Sequence, residues 1–145
     1  MNAKEYLEQV AKAERDMRVL KAKIDHYEDL GLSITPHIGN ASGKPSTPSS
    51  RVETAAIGVV DTLGELKAKL GAYRAFIEEA QKRIDRIPQE RYRQILTLRY
   101  LCGMKLPKIG EEMRYTDRNS IYRAHGYALL EMAKILEEDG YDNQA

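Results

Sequence analysis

From Ala3 to Tyr27, apolar or small residues recur every three or four positions without a miss: Ala3, Tyr6, Val10, Ala13, Met17, Leu20, Ile24 and Tyr27. This alternation is the heptad signature of a helix with one apolar face. Charged residues fill most of the intervening positions, and neither Gly nor Pro interrupts the run. At ~1.5 Å per residue such a helix is about 40 Å long. A second stripe starts at Val52 and continues through Val59, Leu63, Leu66, Leu70, Tyr73, Ile77, Ala80 and Ile84 to Ile87. Gly58, Gly64 and Gly71 lie off this stripe; each costs about 1 kcal/mol relative to Ala, and small residues also let a partner helix come close. Between the stripes, Gly31 to Ser50 holds Pro36, Gly39, Gly43, Pro45 and Pro48 among Ser, Thr and Asn, and is expected to be a flexible linker at about 31–50. One amphipathic helix cannot bury its own face. Residues 1–86 are therefore expected to form a long antiparallel coiled-coil helical hairpin. Heptads report packing alone, so an internal hairpin and a homodimer through the coiled coil both remain open.

Charge divides the chain differently. Residues 1–81 hold 11 basic and 12 acidic side chains, residues 82–125 hold 11 and 5, and residues 126–145 hold 1 and 5. A block of net +6 thus lies between a nearly neutral segment and an acidic one, which is the electrostatic footprint of a polyanion partner or a solvated helix surface.

The basic block is rich in Tyr and resumes helical spacing behind Pro88, which is tolerated at the first position of a helix. A helix is expected from Pro88 to about Leu101, burying Tyr92, Ile95, Leu96 and Arg99, with Gly103 as its left-handed cap. A short helix follows, about Leu106 to Met113, in which Gly110 suits a point where two helices cross. Thr116 or Asp117 offers a capping oxygen to a last helix running to about Leu136. That helix turns Ile121, Ala128, Leu129 and Met132 inward and presents Arg118, Asn119, Tyr122 and Arg123 on its early outer face. These residue types bond base edges and phosphates, and the first half of a recognition helix is where such groups reach bases. Lys105, Lys108, Arg114 and Thr116 are the expected phosphate contacts.

The ordered set Pro88, Ile95, Leu96, Leu98, Arg99, Tyr100, Gly103, Leu106, Ile109, Gly110, Thr116, Ile121, Ala128 and Leu129 resembles the fourth conserved region of sigma-70-type factors. The likeness covers about 50 residues. With the long helices and the Ser/Pro linker before it, the layout is similar to small phage and prophage regulators of the ArpU type. The run from Tyr122 to Leu129 is especially like that group. The resemblance implies a C-terminal helix-turn-helix three-helix bundle over 87–137, binding to double-stranded DNA and contact with RNA polymerase. Two departures stand out: Arg114 occupies a turn position where the family has Gly, and Thr116 to Ile121 is one residue longer than the family spacing.

Other chemistry finds little footing. His37 and His125 lack the further ligands that a metal site needs. Glu111 and Glu112 are adjacent on a helix and diverge. Cys102 is the only cysteine and reads as a small apolar residue. No nucleophile motif or phosphate-binding glycine loop occurs, so neither enzyme activity nor a cofactor is expected. Packing is the expected fate of Tyr127. No signal peptide or membrane-length apolar run is read, which suits a cytoplasmic protein. The expected whole is all-α: hairpin, helix-turn-helix bundle and an acidic tail at 138–145, acting as a sequence-specific transcription regulator. Two rivals stand beside it. One is a coiled-coil module for protein–protein contact. The other is a phage DNA-packaging adaptor, for which ring-sized assemblies would speak.

Overall fold

The computed structural model describes residues 1–39 and 47–141, and the side chains of residues 1–32 and 53–141. The fold is all-α, with no strand among the described residues. The helices are α1 (Ala3–Gly39), α2 (Thr47–Asp85), α3 (Glu90–Leu96), α4 (Leu106–Glu112) and α5 (Arg118–Glu138), with α3 widening into a π turn over Thr97–Leu101.

Local chemistry sets these boundaries. α1 opens on a reciprocal cap: Asn2 Oδ1 accepts from the Glu5 N–H at 2.8 Å, and Glu5 Oε2 accepts from the Asn2 N–H at 3.2 Å. Both long helices run further into the 31–50 segment than its composition suggests. α1 extends to Gly39 and α2 begins at Thr47, while residues 40–46 and the side chain of His37 lie outside the described residues. A helix already nucleated gains one hydrogen bond per added residue. Pro48, in the first turn of α2, lacks an N–H that no intrahelical bond needs.

The compact units do not divide at residue 86. One comprises Asp16–Arg74; the other joins Met1–Arg15 to the chain from Ala75 onward. Within the first, Leu20 and Ile24 are the buried residues among those described, Lys67 Nζ meets Glu28 Oε1 at 3.2 Å, and Ile57 and Val60 stay exposed. Among the described residues, a Cβ added at Gly58, Gly64 or Gly71 would meet nothing within 4 Å, so these glycines serve no close approach to any of them.

The second unit has one continuous core. Tyr6, Leu7 and Val10 from the start of α1 and Ile84 from the end of α2 lie in the same buried cluster as Ile95, Ile109, Ile121 and Met132. The short helices alone offer too little apolar surface to enclose such a core, and each large side chain buried contributes roughly 1.5–3 kcal/mol.

Arg83 locks this unit. Its guanidinium is almost fully buried and donates to Asp139 Oδ2 at 2.8 Å, to the Tyr6 hydroxyl at 2.8 Å and to Glu79 Oε1 at 2.7 Å. It also stacks 4.5 Å from the Tyr141 ring centroid. Burial opposes its charge, but the bonds to Asp139, Tyr6 and Glu79 outweigh that and hold it firmly protonated. The first residues of the expected acidic tail are therefore part of the fold. Arg86 holds Asp139 at 2.7 Å and Glu138 at 3.0 Å, and the left-handed Gly140 (φ 77°) turns Tyr141 onto Tyr6. Residues 142–145 lie outside the described residues.

Candidate nucleic-acid interface

The candidate site is carried by α4, the turn after it and the first half of α5. α3 supports them from behind. It starts at Glu90 rather than at Pro88, with Gln89 as the extended residue before it. The Arg93 guanidinium bonds the carbonyls of Ile87 and Pro88, closing the joint with α2. Tyr92, Ile95 and Leu96 are buried as expected, but the next buried residue is Tyr100 and not Arg99. The π turn accounts for this. With Cys102 N–H bonding to Thr97 O at 3.0 Å, each turn takes more than 3.6 residues and the inward phase slips by one position. Arg99 is left half-buried against the Met104 carbonyl at 3.4 Å. Gly103 ends the element in the left-handed region (φ 72°), as expected of it. Cys102 is exposed and so does not act as a packing residue.

The crossing of α4 and α5 depends on Gly110. A Cβ placed there would sit 3.3 Å from both Cβ and Cγ2 of Ile121. That is tighter than ordinary van der Waals contact, so the absent side chain brings the two helices together. The turn then leaves α4 through a left-handed cap. Tyr115 N–H bonds to Gly110 O at 2.8 Å and Arg114 N–H to Glu111 O at 3.2 Å. The residue at the left-handed position is Arg114, with φ 61°, and it is exposed. An arginine thus adopts the backbone that a glycine would favour.

α5 is capped by Asp117, whose Oδ1 accepts from the Asn119 N–H at 3.2 Å; Thr116 is exposed and takes no part. The helix starts at Arg118, which fixes the outward phase left open by the spacing departure. Ile121, Ala124, Ala128, Met132, Ile135 and Leu136 turn inward. Arg118, Asn119, Tyr122 and Arg123 are all exposed, as are Lys105, Lys108 and Arg114. Arg123 Nη2 lies 3.4 Å from Asp117 Oδ2, and Lys108 Nζ lies 3.8 Å from Glu112 Oε1. Such exposed pairs are weak and exchange readily for phosphate. Beyond them Tyr127 and Leu130 are exposed as well, so Tyr127 does not pack inward; alanines at 124 and 128 already fill the buried side.

His125 is structural in this setting. Its Nε2 lies 2.8 Å from the Tyr100 hydroxyl and the two rings stack. Burial lowers the imidazole pKa, helped by the nearby charges of Arg99 and Lys4, while burial raises the Tyr100 hydroxyl to about 12.

The basic block is less available than its formal charge suggests. Arg83, Arg86, Arg93 and Arg99 are engaged in internal contacts. Among the described residues, the exposed cations of the block from α3 onward are Arg91, Lys105, Lys108, Arg114, Arg118 and Arg123; Lys105 stands at the cap position before α4, and four of these six lie in α4, the turn after it and α5. Arg91, which stands 5.2 Å over the Tyr92 ring, is the one not singled out from the sequence. Comparisons with protein-family models, with curated proteins and with solved structures return no match for this chain.

Proposed function

We propose that this chain is a sequence-reading regulator of transcription that binds double-stranded DNA, with the first half of α5 in the major groove. The observation that carries this reading is the pairing of a close α4–α5 crossing at Gly110 with an outward α5 face of Arg118, Asn119, Tyr122 and Arg123. A major groove about 12 Å wide admits one helix, and two helices joined by a short turn, as α4 and α5 are, are what a helix-turn-helix reading requires. Lys105, Lys108, Arg114 and Thr116, exposed before, on and after α4, are the side chains that would meet phosphates in this reading. Arginine and asparagine have the donor geometry for guanine and adenine edges, and lysine suits phosphate as a point charge. The likeness to sigma-factor region four and to ArpU-type phage regulators supports the same reading. It adds contact with RNA polymerase and a cytoplasmic place of action as parts of the proposal.

The test is a selection of bound fragments from random duplex DNA by the purified full chain. Enrichment of a motif is the expected result. Arg118→Ala should then lose on the order of 1–3 kcal/mol on the selected site if Arg118 reads a base. Recovery of no motif, with equal retention of every duplex, would refute sequence reading.

A further inference from the structure

α2 carries a second uncharged face. Ile57, Val60, Gly64, Ala68, Gly71 and Ala75 follow one another at steps of three, four, four, three and four, one per turn of a straight helix. The heptad stripe of Val59, Leu63, Leu66 and Leu70 lies on the other side of the helix and is half-buried, whereas all six residues of the second face are exposed. Ile57 and Val60 keep 62% and 66% of their surface in water. Glycine weakens a helix interior relative to alanine, yet a Cβ on Gly64 or Gly71 would meet nothing within 4 Å, so no described neighbour requires either. Residues 40–46 and 142–145 offer only alanine and proline as apolar side chains and are too poor to cover Ile57 and Val60. The unit from Asp16 to Arg74 also buries little, Leu20 and Ile24 being its buried residues among those described. Helices depend on packing for most of their stability, and a second pair of helices would supply it.

Charge on the two edges says what that second pair is. At 3.6 residues per turn, Asp61 and Glu65 fall on one side of the face and Lys67 and Arg74 on the other. All four are exposed. Lys67 meets Glu28 at 3.2 Å, an exposed pair too weak to withhold it from another carboxylate. Two copies of this face can meet symmetrically in two ways. Running in the same direction, each copy sets its acidic edge against the basic edge of the other. Running in opposite directions, acid meets acid and base meets base. Edge charges of this kind choose partner and orientation, and here they favour an identical chain in the parallel arrangement. We infer that the Ile57–Ala75 face of α2 is a dimer interface, on which a second copy of this chain packs in parallel, with Gly64 and Gly71 admitting its backbone closely. The interface is two-fold and self-complementary, and it does not depend on the DNA-binding reading.

Sedimentation equilibrium of the full chain, from about 1 to 100 µM at low salt, is the test. Twice 16.5 kDa is expected at the highest concentration, falling toward 16.5 kDa on dilution. Ala68→Glu puts a carboxylate in the middle of the face and should raise the dimer Kd about tenfold or more. The variant chain should stay helical by circular dichroism, because Ala68 faces water in the single chain. Orientation is read from charge. Asp61→Lys with Glu65→Lys makes both edges basic and should also favour the single chain. Adding Lys67→Glu and Arg74→Glu reverses both edges and should restore the dimer. A mass of one chain at every concentration would overturn the inference, as would an assembly larger than two chains or a Kd that Ala68→Glu leaves unaltered. Indifference to the one-edge reversal, or no recovery in the fourfold variant, would refute the parallel arrangement.

Discussion

Arg114 sits in the left-handed backbone region at φ 61°, where a side chain with a Cβ is strained by roughly 1–2 kcal/mol. Glycine there removes the strain, offset by about 0.4–1 kcal/mol of extra freedom in the unfolded chain. Arg114→Gly is expected to leave stability unchanged or raise it by up to about 1 kcal/mol in urea denaturation. It should also weaken duplex binding through the lost charge. A clear loss of stability would show that the Arg114 side chain supports the turn. His125 gives a pH signature. Its half-buried imidazole is held below its ordinary pKa of 6.5, so between that folded-state value and 6.5 the unfolded chain binds the proton more readily. Stability should decline as pH falls below 6.5, and His125→Gln should flatten that part of the profile. A slope that survives the substitution would assign the titration elsewhere. Neither Arg114's φ nor the Tyr100–His125 bond follows from spacing. The sequence marked Arg114 as a departure from glycine without revealing that the backbone there stays left-handed.

At the scale of elements, α4 and α5 meet at Gly110 with less than the room one methyl group needs. Gly110→Val would drive a branched side chain into Ile121, which is itself β-branched and stiff, and is expected to cost about 2 kcal/mol or more. Duplex affinity should fall with it, because the α5 face would tilt. Thermal melts together with DNA titrations check both; unchanged values for each would contradict the close crossing. Much of this level was legible. The three- and four-residue spacings located the five helices of the described residues, and Gly103 and Gly110 hold the roles expected of them. Two features were not legible. The π turn moves the buried position from Arg99 to Tyr100, because a periodicity argument assumes 3.6 residues per turn throughout. The cap falls on Asp117 instead of Thr116, a choice between neighbouring oxygen-bearing side chains that only the tertiary path decides.

At the scale of the molecule, heptads conceal that one helix can serve two compact units. The early turns of α1 and the last turns of α2 belong to the core that carries the candidate site. Arg83 joins them to the end of α5, and no motif announces it, since a lone arginine beside a stripe reads as a solvated charge. Arg83→Ala would leave the buried Tyr6 hydroxyl without its donor and the part-buried Asp139 with Arg86 alone, and should cost about 1–3 kcal/mol, read as an earlier urea midpoint. A midpoint that does not move would mean that the cluster contributes no net stability. The same arginine shows why net charge misleads at this scale: part of the basic block holds the protein together and is not offered to a partner.

The most direct test of the account is the dependence of duplex binding on salt, measured for the full chain and for Lys108→Ala and Arg118→Ala. Binding should weaken steeply as salt rises, and removing a phosphate-contacting lysine should reduce the logarithmic slope by about 0.9. Binding that ignores salt, or slopes identical in all three proteins, would contradict the placement of duplex DNA on the outer face of α4 and α5.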